Sequence, residues 1–453
     1  MTPRPLAKMS PAMLLVLSYA LLILVGAFLL WLPWSSRGAG VSPLDALFTS
    51  TSAVCVTGLT VVDTGGQFSF WGQLVILALM QLGGLGIMTV SVALFAFLGR
   101  RVPFRQRLAM QDVFAHTPRR DIYSLVYSVV IFTFVTEGLG AALLFVHFHR
   151  TFPWAEALYQ AVFHAVSAFC NAGFSLFAQS FMADRSSLLL NFTICGLIVL
   201  GGIGFPVVFE LYQRLRNRQT HRRLSLQTKV VGLTTLVLIL SGSALFYLLE
   251  GFGMGKTPEG PDLWLVSLFQ SVTCRTAGFN TVDLTTLGTT TLSFMVFLMF
   301  FGASPGSCGG GIKTTTLAIL GMYSLSRLRG RQRVNLYKKT LPREVVSKSI
   351  SLFVLSVGIV GVGVFLILLA QEFSANPLGP PRPFLAYLFE VVSAFGTVGL
   401  SLGVTPTLDG GAKILVIALM LIGRMGVPTF SYLLLGGDRN QDIEYAEERM
   451  MVG

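Results

Sequence analysis

Four short segments of this 453-residue chain share a pattern suited to handling a bare cation. They read "TSAVCVTGLT" (51–60), "VSAFCNAGFS" (166–175), "SVTCRTAGFN" (271–280) and "VSAFGTVGLS" (392–401), and they align without gaps. Each places a glycine at the same point: Gly58, Gly173, Gly278 and Gly399. Glycine adopts φ > 0 without a Cβ penalty, so it lets a chain turn its carbonyls in one direction. A ring of such carbonyls replaces the hydration shell of a potassium ion. The pattern therefore predicts four carbonyl-bearing strands around one axis. Their lining residues would be Val56, Thr57 and Gly58; Asn171, Ala172 and Gly173; Thr276, Ala277 and Gly278; and Thr397, Val398 and Gly399.

A second stretch, "SPGSCGGGIKTTT" (304–316), interrupts an otherwise apolar run. The apolar halves on either side are each too short to span a membrane and together long enough. Irregular backbone at membrane depth must line a water-filled path or be packed by protein. A flexible strap across a path is a gate, formed here by Ser304, Pro305, Gly306, Ser307, Gly309, Gly310, Gly311 and Lys313. A buried lysine costs about 2.5–3.5 kcal/mol at a helix centre. Lys313 is expected to anchor this loop or to repel cations when it is closed. Arg424, a second deep cation, is expected beside the loop as an electrostatic barrier or a partner. A phosphate-binding loop is excluded by the lysine's position, because Ile312 separates Gly311 from Lys313 and no strand precedes.

These residues need a scaffold, and the composition names its class. Hydrophobic residues make up 53% and charged residues only 12%. A soluble domain carries about 25% charge. Each glycine segment sits between two long apolar runs, about 12–32 and 72–98, 122–148 and 188–212, 227–249 and 290–325, 345–370 and 412–435. About 20 apolar residues cross a hydrocarbon core. A further glycine signal follows each segment by roughly 24–28 residues: "LGGLG" (82–86), "LGGIG" (200–204), "FGASPG" (301–306) and "IGRMG" (422–426). The fold class is thus all-α integral membrane, with four helix–pore-segment–helix repeats around a pseudo-fourfold axis. The repeats are 12–98, 122–216, 224–327 and 342–436, and a tail, 437–453, follows. The net charge of +12 concentrates in the loops between repeats. By the positive-inside rule those loops and both termini face the cytoplasm. That placement argues against nucleic acid as a partner, and some of these loops face anionic lipid.

Other singled-out residues have supporting roles. Arg275, three residues before Gly278, is expected behind the strand, bracing carbonyls or a carboxylate such as Asp283. Glu390 is expected to buttress the fourth segment or to sit in an outer vestibule. His164 reads as a hydrogen-bonded structural histidine, Asn171 as path-lining, and Glu137 as needing a partner the sequence does not name. Five cysteines show neither a CxxC pair nor a zinc spacing, and read as small buried side chains. No His, Cys or carboxylate constellation suggests an enzyme. An alternating-access carrier also uses repeats and broken helices, but four equal units suit a ring better than an inverted pair.

The four glycine segments and "GASPGSCGGGIKTTT" resemble those of the Trk/Ktr/HKT superfamily of potassium transporters, over nearly the whole chain. The chain is most similar to membrane subunits of bacterial Ktr systems. The resemblance implies potassium uptake across a bacterial cytoplasmic membrane and a homodimer. It implies a cytosolic ring of RCK-type regulatory proteins that bind ATP or ADP, with sodium activating several members. It implies that 304–316 is the gate and that an arginine stands at the Arg424 position. Glycine at position 58 matches the potassium-selective type rather than the serine of some sodium-passing plant relatives. No cofactor is expected on this chain itself.

Overall fold

The computed structural model describes residues 11–38, 40–86, 89, 122–216, 224–252, 262–373, 383–427 and 429–430. Arg100, Arg101, Arg105, Arg107, Arg119 and Arg120, the basic residues Arg218, Arg222 and Arg223, and the tail 437–453 lie outside the described residues, as do parts of the runs 72–98 and 412–435.

One motif recurs four times. It opens with a long apolar helix: α1 (Pro11–Trp31), α4 (Ile122–Phe148), α8 (Leu226–Gly251) and α12 (Arg343–Glu372). These four are long and apolar enough to cross a membrane. Large apolar side chains stay exposed along them, including Leu21, Leu24, Phe28, Leu139, Leu240 and Phe365. Contiguous apolar surface of this extent is matched by lipid rather than water.

A short helix follows: α2 (Pro43–Val54), α5 (Trp154–Phe169), α9 (Leu263–Thr273) and α13 (Phe384–Gly396). Proline marks three of the four starts. Pro43 fills the first turn of α2, while Pro153 and Pro383 immediately precede α5 and α13. Proline lacks the N–H that the first turn cannot pair in any case. Ser42 caps α2, its Oγ accepting from the Asp45 N–H at 3.1 Å.

The motif closes with a second apolar helix: α3 (Phe70–Leu85), α6 (Leu188–Gly202), then α7 (Phe205–Arg216) beyond a break, α10 (Thr289–Phe300), and, after the interrupting loop and α11 (Thr314–Leu328), the fourth repeat's α14 (Gly410–Met425). Ser69, Ser187 and Asp409 cap α3, α6 and α14. A two-stranded hairpin, β1 (Asn335–Leu336) with β2 (Lys339–Thr340), joins α11 to α12.

The run 188–212, expected as one helix, is two. α6 and α7 meet at a bend of 95°. The break falls at Gly204, φ +98°, where a Cβ would lie 2.6 Å from the Pro305 carbonyl oxygen. The Phe205 N–H that leaves this turn donates to the Gly306 carbonyl at 2.8 Å. The interrupting loop of the third repeat therefore occupies the space a straight helix would need.

The last glycine of each signal, Gly86, Gly204, Gly306 and Gly426, has φ between +70° and +98°. The helical path ends or turns there in repeats one, two and four, whereas Gly306 lies within the interrupting loop of repeat three. The first glycine of the signal has another task. A Cβ on Gly83, Gly201 or Gly423 would collide with the carbonyl of Val54, Phe169 or Phe395, the end of the same repeat's short helix. Absence of a side chain lets the two backbones touch.

The repeats close on themselves. α3 packs on α5, α6 on α9, α10 on α13, and α14 returns to α2. At that last junction Lys413 pairs with Asp45 at 2.7 Å, joining positions far apart in the chain.

Candidate ion pathway

The four segment glycines meet. Gly58, Gly173, Gly278 and Gly399 have φ of +89°, +70°, +81° and +92°. A Cβ on Gly58 would lie 2.5 Å from the Ala172 carbonyl oxygen, one on Gly173 2.8 Å from that of Ala277, and one on Gly278 2.6 Å from that of Val398. A Cβ on Gly399 would collide with the Thr57 carbonyl. Each glycine thus abuts the carbonyl just before the next glycine, and the fourth returns to the first. The order is a closed ring of repeats one, two, three and four. Val56, Asn171, Thr276 and Thr397, each two residues earlier, are also left-handed, with φ from +51° to +71°. Two left-handed turns flanking one residue expose successive carbonyls of each strand. Each short helix ends just before its strand, so its carboxyl end, carrying partial negative charge, lies next to the ring and favours a cation.

The ring opens on one side into a polar mouth of about 290 Å³, lined by the four glycines and by Thr60, Asp63, Ser175, Asn280, Ser401 and Thr405 among others. On the other side lies the loop between α10 and α11. Gly310 N–H donates to Thr397 Oγ1 at 3.0 Å. A Cβ on Gly309 would lie 2.5 Å from Ala303 Cβ and would collide with Thr276. The loop is pinned on three sides. Ser304 and Cys308 N–H groups donate to the Gly202 and Gly201 carbonyls at 3.0 and 3.1 Å, and Gly311 N–H to the Gly423 carbonyl at 3.3 Å. Arg424 donates to the carbonyls of Cys308, in the loop, and Gly83, at the end of α3. One side chain of repeat four thus ties the repeat-three loop to repeat one. Lys313 Nζ turns back on its own loop, donating to the Gly309 carbonyl at 2.8 Å and the Gly310 carbonyl at 3.4 Å. Ser307 Oγ donates to the Ser304 carbonyl (2.7 Å), and Ser304 and Thr314 hydroxyls pair at 3.0 Å across the loop's neck.

Residues 3–437 match the TrkH family model, described as a cation transport protein. The chain belongs to this family. A Ktr system potassium uptake protein B from Vibrio alginolyticus is 37% identical over 99% of this chain and 96% of that protein. A protein of the same name from Bacillus subtilis is 35% identical over 98% and 97%. The potassium/sodium uptake protein NtpJ of Enterococcus hirae is 34% identical over 100% and 99%. The fold matches the crystal structure of the potassium transporter TrkH from Vibrio parahaemolyticus with a TM-score of 0.75, 19% identity, and coverage of 96% of this chain and 87% of that one. The TrkH family is one of transporters rather than enzymes.

Within this TrkH-family fold the supporting residues separate into those the sequence placed and those it did not. Gly58 and Gly399 N–H groups donate to Ser52 and Ser393 Oγ, both at 3.0 Å. Ser167 and Thr273 hydroxyls donate to the carbonyls of Phe174 and Phe279 at 2.8 and 2.9 Å. A hydroxyl at one aligned position in three repeats, shifted by one residue in the third, was the available sequence signal. The Asn171 side chain is fully buried. With its amide nitrogen toward the Ala168 and Ile198 carbonyls (3.1 and 3.2 Å), its oxygen accepts from Thr276 Oγ1 at 3.3 Å. It joins repeat two to repeat three.

Arg275 is buried behind the strand, but its contact is Thr235 Oγ1 on α8, at 3.4 Å. Asp283 is exposed and accepts from the Thr285 N–H at 2.9 Å, so the expected Arg275–Asp283 brace does not form. Glu390 is fully buried and accepts from Ser401 Oγ at 2.7 Å and from the Thr405 hydroxyl. Glu137 meets Gln81 Nε2 at 3.2 Å and Cys170 Sγ at 3.9 Å. All five cysteines are free and buried.

Proposed function

We propose that this chain is the ion-translocating, channel-like subunit of a Ktr-type potassium uptake system in a bacterial cytoplasmic membrane. The observation that carries the reading is the closed ring of four left-handed glycines, each against the carbonyl that precedes the next. Ions enter the polar mouth from outside and exchange water for the carbonyls of Val56, Thr57 and Gly58 and their three counterparts. They then meet the loop 304–313, held shut by Arg424 and Lys313. The membrane potential supplies about 2.3 kcal/mol per charge per 100 mV. The chain pairs as a homodimer, and a cytosolic RCK-type ring binding ATP or ADP holds or releases the loop. Sodium acts as activator. The basic loops and both termini lie on the cytoplasmic side. The names of the Vibrio and Bacillus relatives support potassium as cargo. The Enterococcus relative, named for potassium and sodium uptake, makes the ion preference the first thing to measure.

The test is rubidium-tracer uptake in cells stripped of their own potassium uptake, with potassium and sodium as competitors. Native chain, a form lacking residues 304–312, and Gly173→Ser are compared. The deletion raises flux without a partner protein, and Gly173→Ser loses discrimination against sodium. If native and loop-deleted proteins both reach the membrane and neither carries rubidium, the channel reading fails.

A further inference from the structure

Behind the ring, the strand leaving each glycine runs back past the short helix that delivered it. What bridges the two differs from repeat to repeat. In repeat two the bridge is His164, nine residues before Gly173. Its Nδ1 lies 2.8 Å from the Gln160 carbonyl, and its Nε2 3.1 Å from Ser175 Oγ and 3.3 Å from the Leu176 N–H. A backbone N–H only donates and a carbonyl only accepts, so Nε2 is the acceptor and Nδ1 carries the proton. The imidazole is neutral and works as a fixed hydrogen-bond relay. The Phe177 ring stacks on it at 4.9 Å.

The same spacing recurs in repeat four. Glu390 stands nine residues before Gly399 and accepts from Ser401, as Ser175 meets His164 in repeat two. Both serines lie two residues beyond their glycine. In repeat three the bridge is displaced by one residue, in step with the shifted hydroxyl at Thr273. Gln270 Nε2 donates to Thr281 Oγ1 at 3.3 Å. Repeat one has Thr49 at the equivalent place, and its buried Oγ1 has no hydrogen-bond partner.

We propose that His164, Gln270 and Glu390 are equivalent latches that fix the outgoing ends of three strands and so set ion selectivity, while the first strand has no latch. They are positioning residues, since none touches the path. The inference rests on the pore reading above. Its physical basis is the cavity-size account of selectivity, in which protein packed behind a carbonyl ring keeps its oxygens at the spacing that suits one ion. Freeing one outgoing strand lets that quarter of the ring close around a smaller ion.

The test uses the same rubidium assay and reads the potassium-to-sodium competition ratio separately from maximal flux. His164→Phe copies the residue found at this position in repeat three, Phe269, and fits an aromatic surround. It lowers the ratio about tenfold, the scale of one lost buried hydrogen bond, and leaves maximal flux nearly unchanged. His164→Gln, which restores a side-chain acceptor, recovers most of the ratio. Ser175→Ala trims the other end of the latch with less disturbance and lowers the ratio in the same direction. Thr49→Val leaves it unchanged.

Gly173→Ser separates the two levels of the argument. If it lowers the ratio while His164→Phe and Ser175→Ala do not, the latch is refuted and the ring stands. If none of the three moves the ratio, the ring reading falls with it. Should His164→Phe fail to reach the membrane, Gln270→Leu decides, because it cuts the repeat-three latch without altering a residue of the mouth, and an unchanged ratio refutes the latch.

Discussion

Arg424→Gln should open the pathway without a partner protein. In the structure its guanidinium donates to the Cys308 carbonyl of the loop and to the Gly83 carbonyl of α3. Hydrogen bonds to charged groups contribute about 1.5–3 kcal/mol each, so the two together hold the closed loop by roughly 3–6 kcal/mol before any offset. Once the loop moves away, the guanidinium faces water in the pathway and regains part of this. A net shift of about 2–4 kcal/mol remains, which is roughly 30- to 700-fold in the closed-to-open ratio at 1.4 kcal/mol per tenfold. The gain in flux saturates when the open form dominates. Rubidium influx in cells lacking any regulatory partner should rise at least about tenfold, within that computed shift. Membrane content is matched by immunoblot, and the loop-deleted form sets the ceiling. Influx unchanged or reduced in Arg424→Gln, in cells where the deletion conducts, would refute the assignment of Arg424 as the tether of a closed loop.

Lys313→Met removes two further bonds to the loop, but both lie within it, so partner-free flux should rise less than for Arg424→Gln. The double variant should fall short of the product of the single effects, because both residues hold the same short segment; a fully multiplicative result would mean they act independently. Gly201→Ala puts a methyl into the Phe169 carbonyl at the end of α5. Overpacking of this kind costs about 1–3 kcal/mol, so thermal stability of the purified protein in detergent should drop, whereas Gly196→Ala, on the same helix with open space around it, should leave it unchanged.

The left-handed glycines were legible before any coordinates. A glycine that must adopt φ > 0 leaves a mark at a fixed place, and four such marks in step with long apolar runs define four equal units. The interrupted run at 304–316 was equally plain, because a lysine and four glycines have no place in a lipid-facing helix. The second break, at Gly204, was not. "LGGIG" lies in an apolar run of spanning length, and nothing local says that the loop of another repeat will take the space.

Side-chain partners followed the same division. Residue type and position announced that Arg424, Arg275, Glu390 and Glu137 needed partners. Which partners they have is set by elements far apart in the chain. Gly83 is 341 residues from Arg424, and Asp283, close to Arg275 in sequence, turns outward to cap its own turn.

The sequence alone determined the membrane class and the positions of the glycines that turn left-handed, because solvent and backbone sterics act residue by residue. The tertiary structure decided the order of the ring, the 95° bend and the contacts that hold the loop. It also supplied the partners of His164, which the sequence reads only as a hydrogen-bonded structural histidine. Each of these depends on which repeat packs against which, and repeats this alike leave that choice to packing.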